Sequence, residues 1–388
     1  MNNKFFDKRI LPLAVGGLGI GTTEFAIMGL LPYIAKALKI TIPEAGHFIS
    51  AYAMGVVIGA PIIILLTIKY PPKKVLFTIM LLFAVFNGLS AVANTYSLML
   101  ISRFLSGLPH GAFFGISTVV ASGLAKKGKQ ARYISMVFSG LTLANLAMVP
   151  LMTYIGHVFR WNWAFAIVSI IGIISSTLII LLLPNIGSKN DSGSSKSELL
   201  ILKKSQIWYV IFITATGFGG LFAWLSYISP LTTEVSQISI DNVPYVMILA
   251  GAGMVTGNLL GGYLCDKIGA AKAAITILIV TSIILIIIFF FSHYKFISYV
   301  FTFLCGALSF SLISPANLLM FKEAPGSEMI SSSFMQAAFN ISNALGAYLG
   351  GIPLLFGLSY SYPSLVGAGM TLIGLCICLI YIKKYNIQ

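Results

Sequence analysis

The sequence predicts an all-α membrane protein of twelve transmembrane helices, arranged as two pseudo-symmetric six-helix bundles with both termini cytoplasmic. Three observations carry that expectation. Of the 388 residues, 58% are hydrophobic and only 9% charged, and the mean hydropathy is +0.95. Soluble chains carry roughly 25% charged residues, so there are too few charges here to clothe a water-facing surface. Apolar runs of about 20 residues, the length that crosses a hydrocarbon core, recur along the chain. Finally, a shift of 198 residues lays Gly21 on Gly219, Pro32 on Pro230, Gly55 on Gly253, Gly59 on Gly257, Lys69 on Lys267 and Asn145 on Asn343. Parallel repeats of this kind build two-bundle membrane proteins.

The first apolar run covers 11–37. Lys4, Lys8 and Arg9 precede it, but it far outruns the roughly 7–15 residues of a leader's apolar core, so it reads as the first span. The next runs cover 45–68, 75–94, 97–125, 131–156 and 161–183. A polar stretch then includes Asn190, Asp191, Ser192, Gly193, Ser194 and Ser195. It divides a first bundle, 1–188, from a linker, 189–206, and a second bundle, 207–388. Residues 193–197 lack the second glycine of a phosphate loop. Runs at 207–233, 242–265, 272–292, 296–321, 328–357 and 361–382 complete the twelve. Barrel strands would alternate over about ten residues; these runs are longer and continuous.

Orientation follows from the basic residues. With the N-terminus inside, the inner segments hold Lys4, Lys8, Arg9, Lys69, Lys73, Lys74, Lys126, Lys127, Lys129, Arg132, Lys189, Lys196, Lys203, Lys204, Lys267, Lys272, Lys322, Lys383 and Lys384. The outer side keeps Lys36, Lys39, Arg160 and Lys295. That asymmetry is the positive-inside pattern. It also disposes of a nucleic-acid partner, which the net charge of +14 would otherwise invite, because the basic residues sit in breaks between apolar runs. Cys265, Cys305, Cys376 and Cys378 lie within apolar segments without metal-ligand spacing and read as small hydrophobes. No metal or organic cofactor is expected, and the expected partners are lipid and a small solute, for a monomeric chain.

The few ionisable residues inside spans stand out. Glu24 lies about thirteen residues into the first span, near mid-depth at ~1.5 Å per residue. A charge there costs roughly 2.5–3.5 kcal/mol on insertion scales, whereas a protonated carboxyl costs less, so Glu24 is a candidate proton carrier; a permanent tie to a neighbouring helix is the alternative. In the fourth span Arg103 and His110, seven residues apart, share a face. Gly107, Gly111 and Gly115 allow a close neighbour. Helical rise places His110 level with Glu24 and Arg103 about two turns nearer the outer surface. Arg103 would tune a nearby carboxylate or order water, and His110 would titrate or bind solute; hydrogen bonding to backbone carbonyls explains either equally. A third set is polar but uncharged: Asn145, Asn317, Gln336, Asn340 and Asn343, with Trp224 and Tyr227 on one face of the seventh span at a spacing of three. These line a solute pathway or simply bond between helices.

Two stretches resemble known family signatures. Between the eighth and ninth spans, Gly262, Asp266, Lys267 and Gly269 match the loop motif of the major facilitator superfamily. Its Asp–basic cluster latches the two bundles at the cytoplasmic face in the outward-open state. The first-half counterpart has Ile68 where an Asp is expected. In the fourth span, Arg103, Gly107, His110 and Gly111 resemble the family motif whose Arg is linked to proton transfer. The run Thr23, Glu24, Phe25 with Met28 and Gly29 is similar to the sugar-efflux, arabinose-efflux-permease type. So are Ala45, Gly46, His47; Gly59, Ala60, Pro61; Pro109 through Gly115; and Phe222, Ala223, Trp224. Ala338, Phe339, Asn340 and Gly346, Ala347, Tyr348 extend the likeness over nearly the whole chain.

That resemblance implies a proton antiporter of a bacterial inner membrane, exporting sugars, drugs or related metabolites by alternating access. In the fifth-span antiporter motif, however, Met148 and Met152 flank Pro150 where glycines are usual, so that helix should pack differently. The alternatives are an uncoupled facilitator or importer of the same fold and, further off, a membrane sensor or scaffold, for which no loop supplies a readout domain. An enzyme is not expected: there is no His-Glu-x-x-His, no Gly-x-Ser-x-Gly and no paired catalytic carboxylates.

Overall fold

The computed structural model describes residues 7–67, 69–125, 130–185, 203–324 and 328–385. Within them the chain forms twelve long helical spans. The first bundle contains α1 (Leu11–Leu38), α2 (Ile42–Thr67), α3 (Pro72–Ala91), α4 (Tyr96–Leu124), α5 (Tyr133–Val158) and α6 (Asn162–Leu182). The second contains α7 (Ser205–Ser226), α8 (Ile240–Ile268), α9 (Ala270–Phe291), α10 (Lys295–Glu323), α11 (Glu328–Leu355) and α12 (Tyr362–Tyr385). Eleven of these are long and apolar enough to cross a membrane. The remaining one, α11, has 28 residues and is as long, but carries Gln336, Asn340 and Asn343, a polarity that suits a helix packed inside the molecule. The linker placed at 189–206 lies outside the described residues as far as 202, and so do Ile68, Lys126, Lys127 and Lys129.

Local chemistry sets the helix ends. Pro12, Pro72 and Pro244 sit in first turns, where a missing N–H is no loss. The Thr95 hydroxyl accepts from the Leu98 amide at 3.3 Å and caps α4. At the corner between α8 and α9, Gly269 has φ +83°, a conformation open to glycine at little cost.

Three spans expected as continuous are interrupted; in α10 the break is the single residue Leu312, between Lys295–Ser311 and Ile313–Glu323. In α5 a π-helical turn, Ala144–Met148, precedes Val149–Val158. Pro150 lacks an N–H and crowds the carbonyl four residues back, and the wider turn relieves that crowding. The segment expected as 207–233 breaks at Tyr227, whose φ of −114° and ψ of 20° are not helical. It resumes as Ile228–Pro230 and a π turn, Leu231–Val235.

In lipid, burying apolar surface between helices brings little gain, so association depends on close packing. Within the first bundle, Gly55 and Gly59 of α2 lie against the backbone of Phe104 and Leu108 in α4, while Gly107 returns the contact at Tyr52. The second bundle repeats the device: Gly253 and Gly257 of α8 meet the backbone of Phe303 and Ala307 in α10, and Gly306 meets Ala250. The 198-residue repeat is therefore a repeat of helix crossings.

The bundles meet along α2 with α11, α5 with α8, and α1 with the end of α7. The Ser50 hydroxyl donates to the Ala344 carbonyl at 3.0 Å. The Tyr227 hydroxyl donates to the Ala347 carbonyl at 2.7 Å and lies against Gly46 of α2. Gly251 of α8 rests on the backbone of Asn145 in the π turn. Beyond it, where α5 ends and α8 begins, His157 Nε2 and Asp241 Oδ1 are 2.6 Å apart. These contacts close the seam at one end of the molecule, the end where α1 finishes and α2 starts.

Candidate functional site

Thr23, Glu24 and Phe25 are consecutive in the middle of α1, and all three are buried. At 3.6 residues per turn, successive side chains leave the helix about 100° apart, so each meets a different neighbour. Thr23 faces α3 and α4, Glu24 faces α11 across the seam, and Phe25 faces α7 and α10.

The Thr23 side joins to the fourth span. Arg103, wholly buried, donates from Nη1 to the Thr23 hydroxyl at 2.8 Å and from Nη2 to the Thr23 carbonyl at 3.1 Å. The Thr23 hydroxyl donates onward to Asn87 Oδ1 at 2.6 Å, and the Asn87 amide donates to the Phe83 carbonyl at 2.8 Å. The guanidinium carbon stands 4.3 Å from the ring centre of Tyr52 and 5.3 Å from that of Phe165, cation–π contacts that partly replace lost hydration. The Tyr52 hydroxyl lies 3.1 Å from His110 Nδ1. It is thus Arg103 whose head group reaches the level of Thr23 and Glu24, while His110 pairs with Tyr52.

Glu24 is 2% exposed. Its charge would be felt by Arg103 and Tyr52, yet among the described residues it makes no ion pair. The Asn343 amide of the opposite bundle stands beside it without closing a well-formed hydrogen bond. Glu24 Oε1, both amide atoms of Asn343, Asn340 Oδ1 and Arg103 Nε are all buried with no hydrogen-bond partner. Buried polar atoms are nearly always paired, so this concentration along α1, α4 and α11 marks the seam as chemically distinct from ordinary core.

The Phe25 side is apolar. Phe25 stacks on Phe222 at 6.4 Å between ring centres and tilts on Phe310 at 6.3 Å, and Phe222 meets Phe339 edge-on at 5.0 Å. These rings, with Phe218, Leu221, Leu225, Met254 and Ser309, enclose a cavity of about 10 Å³, room for little more than one water. The Ser309 hydroxyl is committed to the Cys305 carbonyl at 2.7 Å. At Phe25 the seam is filled with aromatic rings, and admitting a solute there requires the bundles to part.

The expected pathway amides divide. Asn343 and Asn340 are brought to the seam. Asn145, Asn317 and Asn340 each donate to the carbonyl four residues back, at 3.1, 3.0 and 3.0 Å, and Gln336 is half-buried on α11. Trp224 and Tyr227 go separate ways because the helix breaks between them: Trp224 faces Ile288 and Phe301 of α9 and α10, while Tyr227 turns to α2 and α11. Of the expected latch residues, Asp266 and Lys267 are exposed at the end of α8. The Lys267 ammonium lies 5.7 Å from the Tyr263 ring centre, and nothing packs on Gly262. The sequence marked Thr23 through a family resemblance alone, and Tyr52 and Asn87 were not among the expected residues. Asn87 carried the same signal as Asn145, an amide inside an apolar run, whereas nothing in the sequence sets Tyr52 apart from other tyrosines.

Twelve helices in two repeated bundles, meeting along a seam with a buried acid on one side and unpaired amides on the other, define a two-bundle membrane transporter rather than an enzyme. The chain matches the profile of the Major Facilitator Superfamily over residues 13–333, and it belongs to that family. It is 37% identical over 376 residues to the "Inner membrane transport protein YdhP" of Escherichia coli (strain K12), covering 96% of this chain and 95% of the relative. It is 26% identical over 372 residues, 96% and 94% of the two chains, to a Helicobacter pylori (strain G27) protein named "Probable sugar efflux transporter". Among solved structures it superposes on a D-xylose–proton symporter with a TM-score of 0.78 at 15% identity, over 97% of each chain, a likeness of fold.

Proposed function

We propose that this transporter exports a small solute, a sugar, drug or related metabolite, in exchange for protons, with Glu24 carrying the proton. The observation behind this reading is the setting of Glu24: a carboxyl buried at the seam between two bundles, without an ion-pair partner among the described residues, facing the unpaired Asn343 amide across it. A lone carboxylate in such a place is costly, whereas a protonated carboxyl is neutral and can donate a hydrogen bond. Parting the bundles would bring Glu24 to water, where the proton can leave. Solute and proton then compete for the seam, which is the basis of exchange. Arg103, fixed by Thr23 and Tyr52, would bias Glu24 electrostatically without holding it in a permanent pair, and Tyr52 would connect that charge to His110.

Direction and place rest on other supports. The basic asymmetry of the loops argues for cytoplasmic termini, which makes the closed end of the seam the outer one. The name of the Helicobacter relative supports sugar efflux, and that of the Escherichia relative supports an inner membrane. The division into bundles at 189–206, the unengaged latch at Gly262, Asp266, Lys267 and Gly269, and action as a monomer without metal or cofactor belong to the same proposal. A thermal-shift screen of the purified protein against sugars, antibiotics and metabolites should find a stabilising solute, since binding to the folded state raises its stability by mass action. Proteoliposomes with an imposed pH gradient should then accumulate that solute. Flux that is equal in both directions and indifferent to the gradient would instead mean a facilitator.

A further inference from the structure

His157, at the end of α5, belongs to the first bundle, and Asp241, at the start of α8, to the second. Their contact of 2.6 Å is, among the described residues, the one ion pair that crosses the seam; the other, Arg9 with Asp7, lies within the first bundle. Both imidazole nitrogens are engaged. Nε2 meets Asp241, and Nδ1 lies 3.0 Å from the Tyr33 hydroxyl of α1. The second carboxylate oxygen of Asp241 accepts from the Ser239 hydroxyl at 3.1 Å, which fixes its orientation. His157 is 25% exposed and Asp241 72%, so water and protons reach the pair from outside without passing the aromatic plug. Near the pair in sequence, Lys36 lies three residues beyond Tyr33 and Arg160 three beyond His157, while Glu24 of α1 and Asp266 and Lys267 of α8 sit farther along their helices.

The hydrogen-bond inventory gives the pair two strengths. A neutral imidazole donates from Nε2 to Asp241 and accepts from Tyr33 at Nδ1; an imidazolium donates from both nitrogens. The geometry serves either state, but only the imidazolium adds a charge–charge attraction to the carboxylate. A second histidine lies on the same seam at the same end: His47 of α2 has Nδ1 2.8 Å from the Tyr96 hydroxyl and its ring 6.1 Å from that of Tyr348 in α11. Protonating it sets a cation near an aromatic ring of the opposite bundle. Both histidines therefore gain cross-seam attraction in acid, and neither loses its hydrogen bonds.

We propose that His157, Asp241 and Tyr33 form a proton-sensitive clasp that holds this end of the seam shut in acid and eases its opening as the imidazole loses its proton. The clasp is distinct from the exchange proton assigned to Glu24. It sets how often the seam opens at this end and carries no charge through the molecule.

Electron–electron distance measurements across the clasp test it directly. Spin labels are attached at Phe159→Cys and Ile240→Cys, both exposed, with Cys376 replaced by Ser, in the full-length protein in lipid. Raising the pH from about 5 to about 8, the range in which imidazoles titrate, should lower the ratio of short to long distances by about two- to five-fold, the scale of a partly exposed ion pair. In a Glu24→Gln background, which removes the exchange proton, Asp241→Asn and His157→Gln should shrink that response to what His47 alone supplies, and adding His47→Gln should abolish it. A full response retained in Asp241→Asn, or none in the parent, overturns the clasp. The readout needs no solute and no flux. Failure here leaves the Glu24 reading standing, and a loss of coupling at Glu24 leaves the clasp standing.

Discussion

Glu24→Gln separates coupling from transport. Glu24 is the one acidic side chain in the buried set of the described residues, so the seam offers a single carboxyl and one exchangeable proton per cycle. One unit of pH is worth about 1.4 kcal/mol per proton, which corresponds to a tenfold ratio of concentrations. With the membrane potential clamped, proteoliposomes under a one-unit gradient should therefore accumulate solute by at most about tenfold. Glutamine keeps the size and one hydrogen-bonding oxygen of the protonated acid but cannot release a proton. The variant should fold, bind solute and exchange labelled for unlabelled solute, while its accumulation falls to a ratio of about one whatever the gradient, because no proton is exchanged. The assay is filtration of vesicles loaded with the stabilising solute at matched and unmatched pH. Accumulation by Glu24→Gln equal to that of the parent would refute the coupling role. A parent ratio near one hundred at the same gradient would refute the one-proton stoichiometry, since it demands a second titrating group.

Other expectations follow from neighbouring side chains. Replacing Asn343 with Leu removes two buried unpaired amide atoms, each costing about 1–3 kcal/mol when unsatisfied. The melting temperature should hold or rise while solute-induced stabilisation disappears, and a fall in melting temperature would mean that the amide is structural. Gly257→Val drives a side chain into the Ala307 backbone of α10, which cannot yield as a side-chain tip could. It should cost more than the roughly 1–3 kcal/mol of ordinary overpacking and abolish monodisperse protein in size-exclusion chromatography. Gly262→Ala meets nothing within 4 Å and should gain up to about 1 kcal/mol of helix propensity. If Gly262 packs closely only when the opposite end of the seam is shut, this substitution will also slow transport. Outside the spans, hydrogen bonds from Arg9 hold the Asp7 carboxyl down to about 2. Because that value lies below the ordinary carboxylate range, the Arg9–Asp7–Tyr133 tether contributes its stability above about pH 4 and loses it as pH falls toward 2. Asp7→Asn should lower the melting temperature slightly above about pH 4 and converge with the parent as pH falls toward 2, so that the acid limb of the profile flattens over that window.

Much of this molecule could be read from one dimension. Twelve spans follow from the lengths of apolar runs, because lipid permits no alternative way to satisfy backbone N–H and C=O groups than a helix or a closed barrel. The repeat was legible through its glycines, which the backbone contacts of Gly55, Gly59, Gly253 and Gly257 explain, and Glu24 stood out because an acid in an apolar run has few innocent explanations. What folding alone decided is which side chains meet. The π turn before Pro150 and the break at Tyr227 re-aim everything beyond them, so that Trp224 and Tyr227 part company although their spacing suggests a shared face. Arg103 bonds to Thr23 while His110 meets Tyr52, and Asn343 arrives opposite Glu24 from more than three hundred residues away. The pairing of His157 with Asp241 depends on how two bundles are docked, an arrangement set by the close fit of α2 to α11 and α5 to α8. Hydropathy along a chain reports the solvent each segment faces; it holds no record of the rotation of one helix against another.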